Sequence, residues 1–410
     1  MRFLYDLGIR LYYLLAWFIA PFNVKARLWI RGRKGLFQSL QDKLQGNEQF
    51  VWFHAASLGE FEQGRPLMEA WKKEFPHMKI LLTFFSPSGY EIRKNYNGAD
   101  YIFYLPLDTR RKAKRFIQSI KPEYVIFIKY EYWFHLLQEA KKYGSRIYLV
   151  SAIFRTDQLF FMFWGKWFVQ TLYCFRHIFV QDEASMRLLN RFDNLSVSIA
   201  GDTRFDRVAK IASEAKPNEK VAEFTDGRFT FIVGSSWEKD EHHLIRYINE
   251  NDSDACYVIA PHETNEAHIR QIIDRLHKKA VRYSRYSSIE NRRDKVLIID
   301  NIGLLSSLYR YADVAYIGGG FGKGIHNILE PAVQGIPVVF GPKYYKFREA
   351  VELKNEGGAF TVNTYRQVRD IFDLLRNNRV KLEESGRATR HFVQRNMGAT
   401  DVIMNYLKKN

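Results

Sequence analysis

Two strings in this 410-residue chain place reactive side chains at the ends of apolar runs. The first, His54-Ala-Ala-Ser-Leu-Gly-Glu60, follows the strand-like run Phe50-Val51-Trp52-Phe53. A carboxylate is electrostatically comfortable at a helix start, so Glu60 has capping as one reading. The mouth of a sheet is also where a general base would take a proton from a hydroxyl, and that is the other reading. The second string runs from Gly318 to Pro331: Gly-Gly-Gly-Phe-Gly-Lys-Gly-Ile-His-Asn-Ile-Leu-Glu-Pro. Glycines let a backbone approach a phosphate. Exposed N–H groups and the N-terminus of a helix beginning near His326 would then stabilise its charge. Lys323 and His326 add cationic donors, and Glu330, one turn inside, is placed to accept hydrogen bonds from ribose hydroxyls. Gly324 follows Gly-Lys where a Walker A loop has Ser or Thr, so an NTPase loop is excluded.

The elements that carry these strings alternate. Short continuous apolar runs, such as Lys79–Phe84, Tyr101–Tyr104, Tyr124–Ile128 and Arg146–Val150, read as strands. Helical stretches Glu60–Phe75, Arg110–Ile120 and Tyr132–Tyr143 separate them. The pattern closes with Ile178–Val180 and Val197–Ala200 and restarts at Phe229–Gly234, with Tyr257–Ala260, Val296–Ile299, Val314–Ile317 and Val338–Phe340 following. Such alternation predicts parallel sheets covered on both faces. A chain of this length suits two domains. The polar stretch Ser213–Asp226 is the candidate linker. The expected fold is α/β, with two doubly wound Rossmann-like domains facing each other across a cleft. The expected divisions are residues 1–34, 35–212 and 213–410.

Residues 1–34 form a membrane-associating piece in this reading. Leu11 to Phe22 is almost wholly apolar and rich in aromatics, and Lys25, Arg27, Arg31, Arg33 and Lys34 follow it. About 20 apolar residues are needed to span a bilayer, so this run is short for a span and reads as an interfacial anchor. An ordinary buried helix is the plain alternative. The segment Leu159–Phe175 reads as a core helix or as a helix whose aromatic face meets lipid. The formal net charge of +17, with 16% aromatic residues, favours an anionic partner at a bilayer surface. Cys174 and Cys256 stand alone, with no Cys-x-x-Cys, which points to a reducing compartment and no structural zinc.

The first string resembles the 3-deoxy-D-manno-octulosonic acid (Kdo) transferase family. So do Thr83-Phe-Phe-Ser-Pro-Ser-Gly89, Pro106-Leu-Asp108, Gly201-Asp-Thr-Arg-Phe-Asp206, Gly318–Pro331 and Phe340-Gly-Pro342, in order along nearly the whole chain. The resemblance implies a GT-B glycosyltransferase that moves Kdo from CMP-Kdo to a lipid A precursor, lipid IVA, with inversion. It would act at the cytoplasmic face of the inner membrane in lipopolysaccharide assembly, with no nucleic-acid partner. It makes Glu60 the general base and Glu131 a second acidic position. It puts Gly234, Ser235, Ser236, Pro261, His262, Gly318, Gly319, Gly320, Lys323, His326, Asn327 and Glu330 on the CMP side. Ser57, Gly59, Ser86 and Ser88 fall on the acceptor side. Trp237-Glu-Lys239 departs from the family pattern after the Gly-Ser motif, and Pro261-His262-Glu263 lacks the arginine often seen before the His. One phosphate can be stabilised by helix N-termini and basic side chains, so no metal or cofactor is expected. Asp252-Ser-Asp254 lies in a polar loop and has no metal-ligand character. A UDP-sugar transferase or epimerase of the same fold is the first alternative. A non-catalytic basic protein that binds membrane or nucleic acid is the second. Protection by CMP and not by UDP would separate these readings.

Overall fold

The computed structural model describes residues 2–44, 46 and 48–409. The chain divides into two compact units, residues 1–207 with 397–410, and residues 208–396. In the first, seven strands lie in the order β3-β2-β1-β4-β5-β6-β7. They are β1 (Phe50–Ala55), β2 (Lys79–Phe84), β3 (Tyr101–Tyr104), β4 (Pro122–Ile128), β5 (Arg146–Ala152), β6 (His177–Val180) and β7 (Val197–Ile199). Every pairing is parallel. Helices cover both faces, so β1 is buried at all six positions. Phe50 and Trp52 join one cluster with Phe116 and Phe127. Val51, Phe53 and Ala55 join the other with Phe61 and Trp71. This is why the strands read as unbroken apolar runs.

The second unit repeats the plan with β8 (Thr230–Ser236), β9 (Cys256–Pro261), β10 (Ala280–Arg282), β11 (Val296–Ile298), β12 (Val314–Ile317), β13 (Val338–Phe340) and β14 (Ala359–Thr361). Their order is β10-β11-β9-β8-β12-β13-β14, again all parallel. The strands β10, Ala-Val-Arg, and β14, Ala-Phe-Thr, escape the sequence reading because each ends in a polar residue and forms no continuous apolar run.

Three boundaries differ from the expected ones. Residues 397–410 return to the first unit. The helix Ala399–Lys409 places Ile403, Met404 and Leu407 in the cluster around Phe53 and Trp71. Asp206 holds its start, accepting from the N–H groups of Gly398 at 2.6 Å and Thr400 at 2.7 Å. The expected linker is helical at both ends: the helix Thr203–Glu214 runs into it, and Glu219–Thr225 is capped by Asn218 and buries Val221 and Phe224. The aromatic segment after β5 is not α-helical. Phe163–Cys174 is 3-10 in geometry, buries Val169, Leu172 and Cys174, and leaves Phe163 79% exposed.

The N-terminal helix Arg2–Ile19 starts upstream of the expected run and has no fully buried side chain. Phe3, Leu7, Leu11, Leu15 and Phe18 all stand exposed. Its polar residues tie it down. The Tyr5 hydroxyl donates to buried Asp108 at 2.5 Å, and Asp6 pairs with His135 Nε2 at 2.5 Å. Among the described residues no helix is long and apolar enough to cross a membrane.

Candidate active site

Strand order reverses direction between β1 and β4 in the first sheet and between β8 and β12 in the second. In open α/β sheets ligands bind beyond the carboxyl ends of strands at such switch points. Both reactive strings end there.

In the first unit, β1 runs into Ser57, the N-cap of the helix Leu58–Glu74, with Glu60 at the third helical position. Glu60 Oε2 accepts from the Ser57 backbone N–H at 2.9 Å and its hydroxyl at 3.2 Å. The capping role is therefore present. It occupies one oxygen, and among the described residues Oε1 has no hydrogen-bond partner. Burial, and then the negative charge of Glu131, raise the Glu60 pKa. A half-buried carboxylate with one free oxygen and a raised affinity for protons is suited to general-base work.

Glu131 follows β4, where Lys129 turns the chain at φ 69°. Its Oε2 receives the Trp133 indole N–H at 2.6 Å and lies 3.0 Å from His54 Nε2. His54, on β1, is fully buried. His54, Thr83 and Trp133 are contributors that the sequence reading did not single out. The signal was available, since His54 opens the first string, but a lone buried histidine has no period or spacing to mark it.

Ser86 caps the short helix Pro87–Arg93, and its hydroxyl lies 3.0 Å from that of Ser88. The Ser86 N–H donates to the Ala56 carbonyl at 2.7 Å, which joins the loops after β1 and β2. Ser57, Ser86 and Ser88 thus gather at one sheet end with Glu60, while Gly59 is exposed on the first turn of the helix. Beside Ser86 and Pro87 opens a cavity of about 420 Å³, walled by Tyr12, Leu15, Ile19, Trp29 and Phe85. Arg33 leaves the expected basic flank. Its guanidinium donates to the carbonyls of Trp29, Phe85 and Leu105 and lies 3.9 Å from the centre of the Trp29 ring. Lys25, Arg31 and Lys34 remain exposed.

Two further quoted strings turn out to be structural. Asp108 accepts from the N–H groups of His135 and Leu136, at 3.0 and 2.8 Å, and so caps the helix Phe134–Tyr143. Asp202 is buried, but the Arg204 charge and donors outweigh that burial and lower its pKa. It also accepts from Gln63 at 2.8 Å, which fixes the helix Leu58–Glu74.

In the second unit, β8 ends with Ser235 at φ 53° and runs into the helix Glu238–Glu250. Asp240, at the third position of that helix, is fully buried. It accepts from the N–H groups of Trp237 at 3.0 Å and Gly319 at 2.8 Å, and from the Tyr316 hydroxyl at 2.9 Å. The Gly318 N–H donates to the Gly234 carbonyl at 2.9 Å. The amides of Gly318 and Gly319 are thus engaged internally, contrary to the expected exposed phosphate cradle. The glycines serve close packing instead. A Cβ on Gly320 would lie 2.6 Å from Gly341 Cα, and one on Gly318 would lie 2.2 Å from the Ser235 carbonyl oxygen. Gly234 is equally constrained, because its Cβ would meet the Tyr309 hydroxyl at 2.0 Å. Ser236 is buried and donates to Glu241 at 2.9 Å, so its hydroxyl points away from any ligand. The helix begins at Leu329, not near His326, and is five residues long.

What gathers at this switch point is a set of rings. Trp237 stacks on His262, which follows Pro261 at the end of β9, at 4.3 Å and 24°. His262 stacks on His326 at 4.7 Å and 25°. The Trp237 indole N–H donates to His326 Nε2 at 2.9 Å. Burial, and then neighbouring His262, lower the His326 pKa. Asn327 donates to Glu330 at 3.1 Å, and Lys323 is exposed. Trp237, the departure from the family pattern, is therefore the organiser of the ring stack.

Two doubly wound parallel units with polar clusters at both switch points define a two-domain GT-B-like fold. The comparisons agree on that fold. UDP-GlcNAc 2-epimerase from Neisseria meningitidis bound to UDP-GlcNAc is 17% identical, with a TM-score of 0.62 over 88% of this chain and 100% of that one. At that identity the likeness speaks for the fold alone. Sequence gives a narrower likeness. Residues 30–207 match the family model 3-deoxy-D-manno-octulosonic-acid transferase (kdotransferase). The Kdo transferase of Aquifex aeolicus is 29% identical over 357 residues, 85% of this chain and 92% of that protein. The enzyme of Chlamydia trachomatis serovar D is 26% identical over 368 residues, covering 84% and 83%. The chain is thus similar to Kdo transferases over most of its length, and its first unit matches their family model.

Proposed function

We propose that this enzyme moves Kdo from CMP-Kdo to a hydroxyl of a lipid A precursor of the lipid IVA type, with inversion at the anomeric carbon. Glu60 acts as the base. The observation that carries this reading is its carboxylate, which sits at the β1/β4 switch point with one oxygen unpartnered among the described residues and its pKa raised by burial and by Glu131. Glu60 Oε1 removes the acceptor proton as the hydroxyl attacks the anomeric carbon, and the bond from that carbon to the CMP phosphate breaks. The second unit carries the groups that suit CMP. There His262, His326 and Lys323 supply donors, while Asn327 and Glu330 hold the ribose. Ser57, Gly59, Ser86 and Ser88 line the acceptor side. The apolar cavity beside Ser86 suits a lipid-linked acceptor.

The exposed apolar face of Arg2–Ile19, with Lys25, Arg31 and Lys34 nearby, would rest on the cytoplasmic leaflet of the inner membrane. Nucleic acid has no part in this reading. The test is purified enzyme with CMP-Kdo and lipid IVA, followed by mass analysis of the lipid. A mass increase of one or more Kdo residues is expected. An unchanged lipid, with turnover of a UDP-sugar instead, would reject the reading.

A further inference from the structure

The environment of His54 is unusually well determined. The Trp52 indole N–H is only a donor, and it reaches Thr83 Oγ at 2.8 Å. The Thr83 hydroxyl proton then has two acceptors in reach, His54 Nδ1 at 2.9 Å and the Phe53 carbonyl at 3.5 Å, of which His54 is the nearer. On the other side of the ring the Trp133 indole nitrogen lies 3.3 Å from Nε2, but the nearer neighbour is Glu131 Oε2, which only accepts, and that contact puts a proton on Nε2. The Nε2–H points at Glu131 Oε2, 3.0 Å away, and the Trp133 indole N–H converges on the same oxygen at 2.6 Å. The Thr83 carbonyl lies 3.1 Å from Nδ1, so a doubly protonated ring would also find two acceptors. Phe127 packs edge-on against the ring at 5.2 Å and blocks rotation. A buried carboxylate held by two rigid donors cannot turn freely.

We propose that His54 is a positioning residue for the transfer reaction: through Nε2–H, and together with Trp133, it fixes the Glu131 carboxylate in the orientation from which its charge acts on Glu60. The inference rests on the reading of Glu60 as base. It assigns the first residue of the string a function distinct from that of the last, transmitted from Trp52 through Thr83, His54 and Glu131. The titratable groups facing Glu60 are Glu131, His54 and Tyr130, and those facing Glu131 are Glu60, His54 and Tyr132. Burial and then the negative charge of Glu131 raise the proton affinity of Glu60, whereas a charged His54 would lower it. Without Nε2–H, Glu131 keeps a single donor and is free to turn away.

The test compares His54→Phe, His54→Gln and Glu131→Gln with the double variant His54→Phe/Glu131→Gln, in the full-length enzyme. His54→Phe should lower kcat roughly tenfold or more with little change in the KM for CMP-Kdo, because the loss falls on proton removal. Its acid limb in the pH profile of kcat/KM should move to lower pH. His54→Gln, which retains an N–H donor, should recover part of the rate. The double variant should be no slower than Glu131→Gln, since both changes act through one group. An unmoved acid limb, or effects that multiply in the double variant, would overturn the proposal. Should His54→Phe fail to fold by circular dichroism, Thr83→Val reads the same chain from the Nδ1 side. It should shift the limb in the same direction, and an unchanged profile again overturns the proposal. Glu60→Gln in the same assay keeps the two readings apart. If it stays active, the base assignment falls, whereas the coupling of His54 to Glu131 is still read from the double variant.

Discussion

Each unit places an acidic residue at the third position of the helix that follows its switch-point strand, and the two residues have opposite fates. Glu60 and Asp240 both accept from the backbone N–H of the residue just before their helix, at 2.9 and 3.0 Å. Asp240 is then surrounded: it also takes the Gly319 N–H and the Tyr316 hydroxyl, and it is fully buried. Glu60 stops at Ser57, and among the described residues its Oε1 has no partner. The same local device has become a structural clamp in one unit and a candidate base in the other. Position on a helix therefore does not assign a role to a carboxylate. The number of its remaining acceptor sites does.

The sharpest way to break this comparison is to neutralise each acid. Glu60→Gln should cost about 10²–10⁴-fold in kcat, the range of a lost general base, with CMP affinity nearly unchanged by calorimetry. Retained turnover within tenfold of the parent would remove Glu60 from that role. Because its pKa is raised in the fold, the ionised form is disfavoured there relative to the unfolded chain. Glu60→Gln should therefore not lower the melting temperature at neutral pH. For the same reason the acid limb of kcat/KM in the parent should lie above the ordinary glutamate range, with activity lost as pH falls through it.

Asp240→Ala should show the reverse pattern, with loss of stability first. It strands three buried donors, at about 1–3 kcal/mol for an unsatisfied buried group. A loss of about 2–3 kcal/mol would appear as a melting shift of roughly 4–12 °C for a unit of this size. An unchanged melting curve would mean that Asp240 is no clamp.

The ring stack sharpens the comparison from the donor side. Burial and then neighbouring His262 lower the His326 pKa in the free protein, which favours the neutral ring. A bound phosphate favours the charged ring, so CMP binding should take up protons and weaken as pH rises from 6 to 8. Calorimetry in buffers of different ionisation heat checks this, and equal heats in all buffers would exclude His326 as a phosphate partner.

The smallest effect is expected at the N-terminal helix. Deleting it would strip Tyr5 from buried Asp108, so substitutions on its outer face are cleaner. Trp17→Ser with Phe18→Ser should reduce sedimentation with anionic vesicles in high salt, while activity on detergent-dispersed acceptor stays within a factor of about two. Unchanged sedimentation would shift attention to exposed Phe163 and Trp164.

The sequence by itself determined the two-unit α/β plan, because parallel strands covered on both faces must read as continuous apolar runs separated by helical stretches. It also marked both switch-point strings, since strand ends followed by helix starts are local patterns. It could not determine which polar atoms in those strings are already engaged. The Gly318–Gly320 turn looked like an anion cradle, yet its glycines are required by contact with Gly341 and Ser235, and the Gly319 amide belongs to Asp240, 79 residues away in sequence. Trp237 looked like a departure from the family and proves to hold His326. His54 looked like a strand residue and proves to hold Glu131. The final helix joined the first unit because Asp206 and the cluster around Trp71 receive it, contacts made almost 200 residues away. Hydrogen-bond partners and the burial of charge arise between distant segments. Only the tertiary structure brings those segments together, and so it alone separates a free carboxylate from a satisfied one.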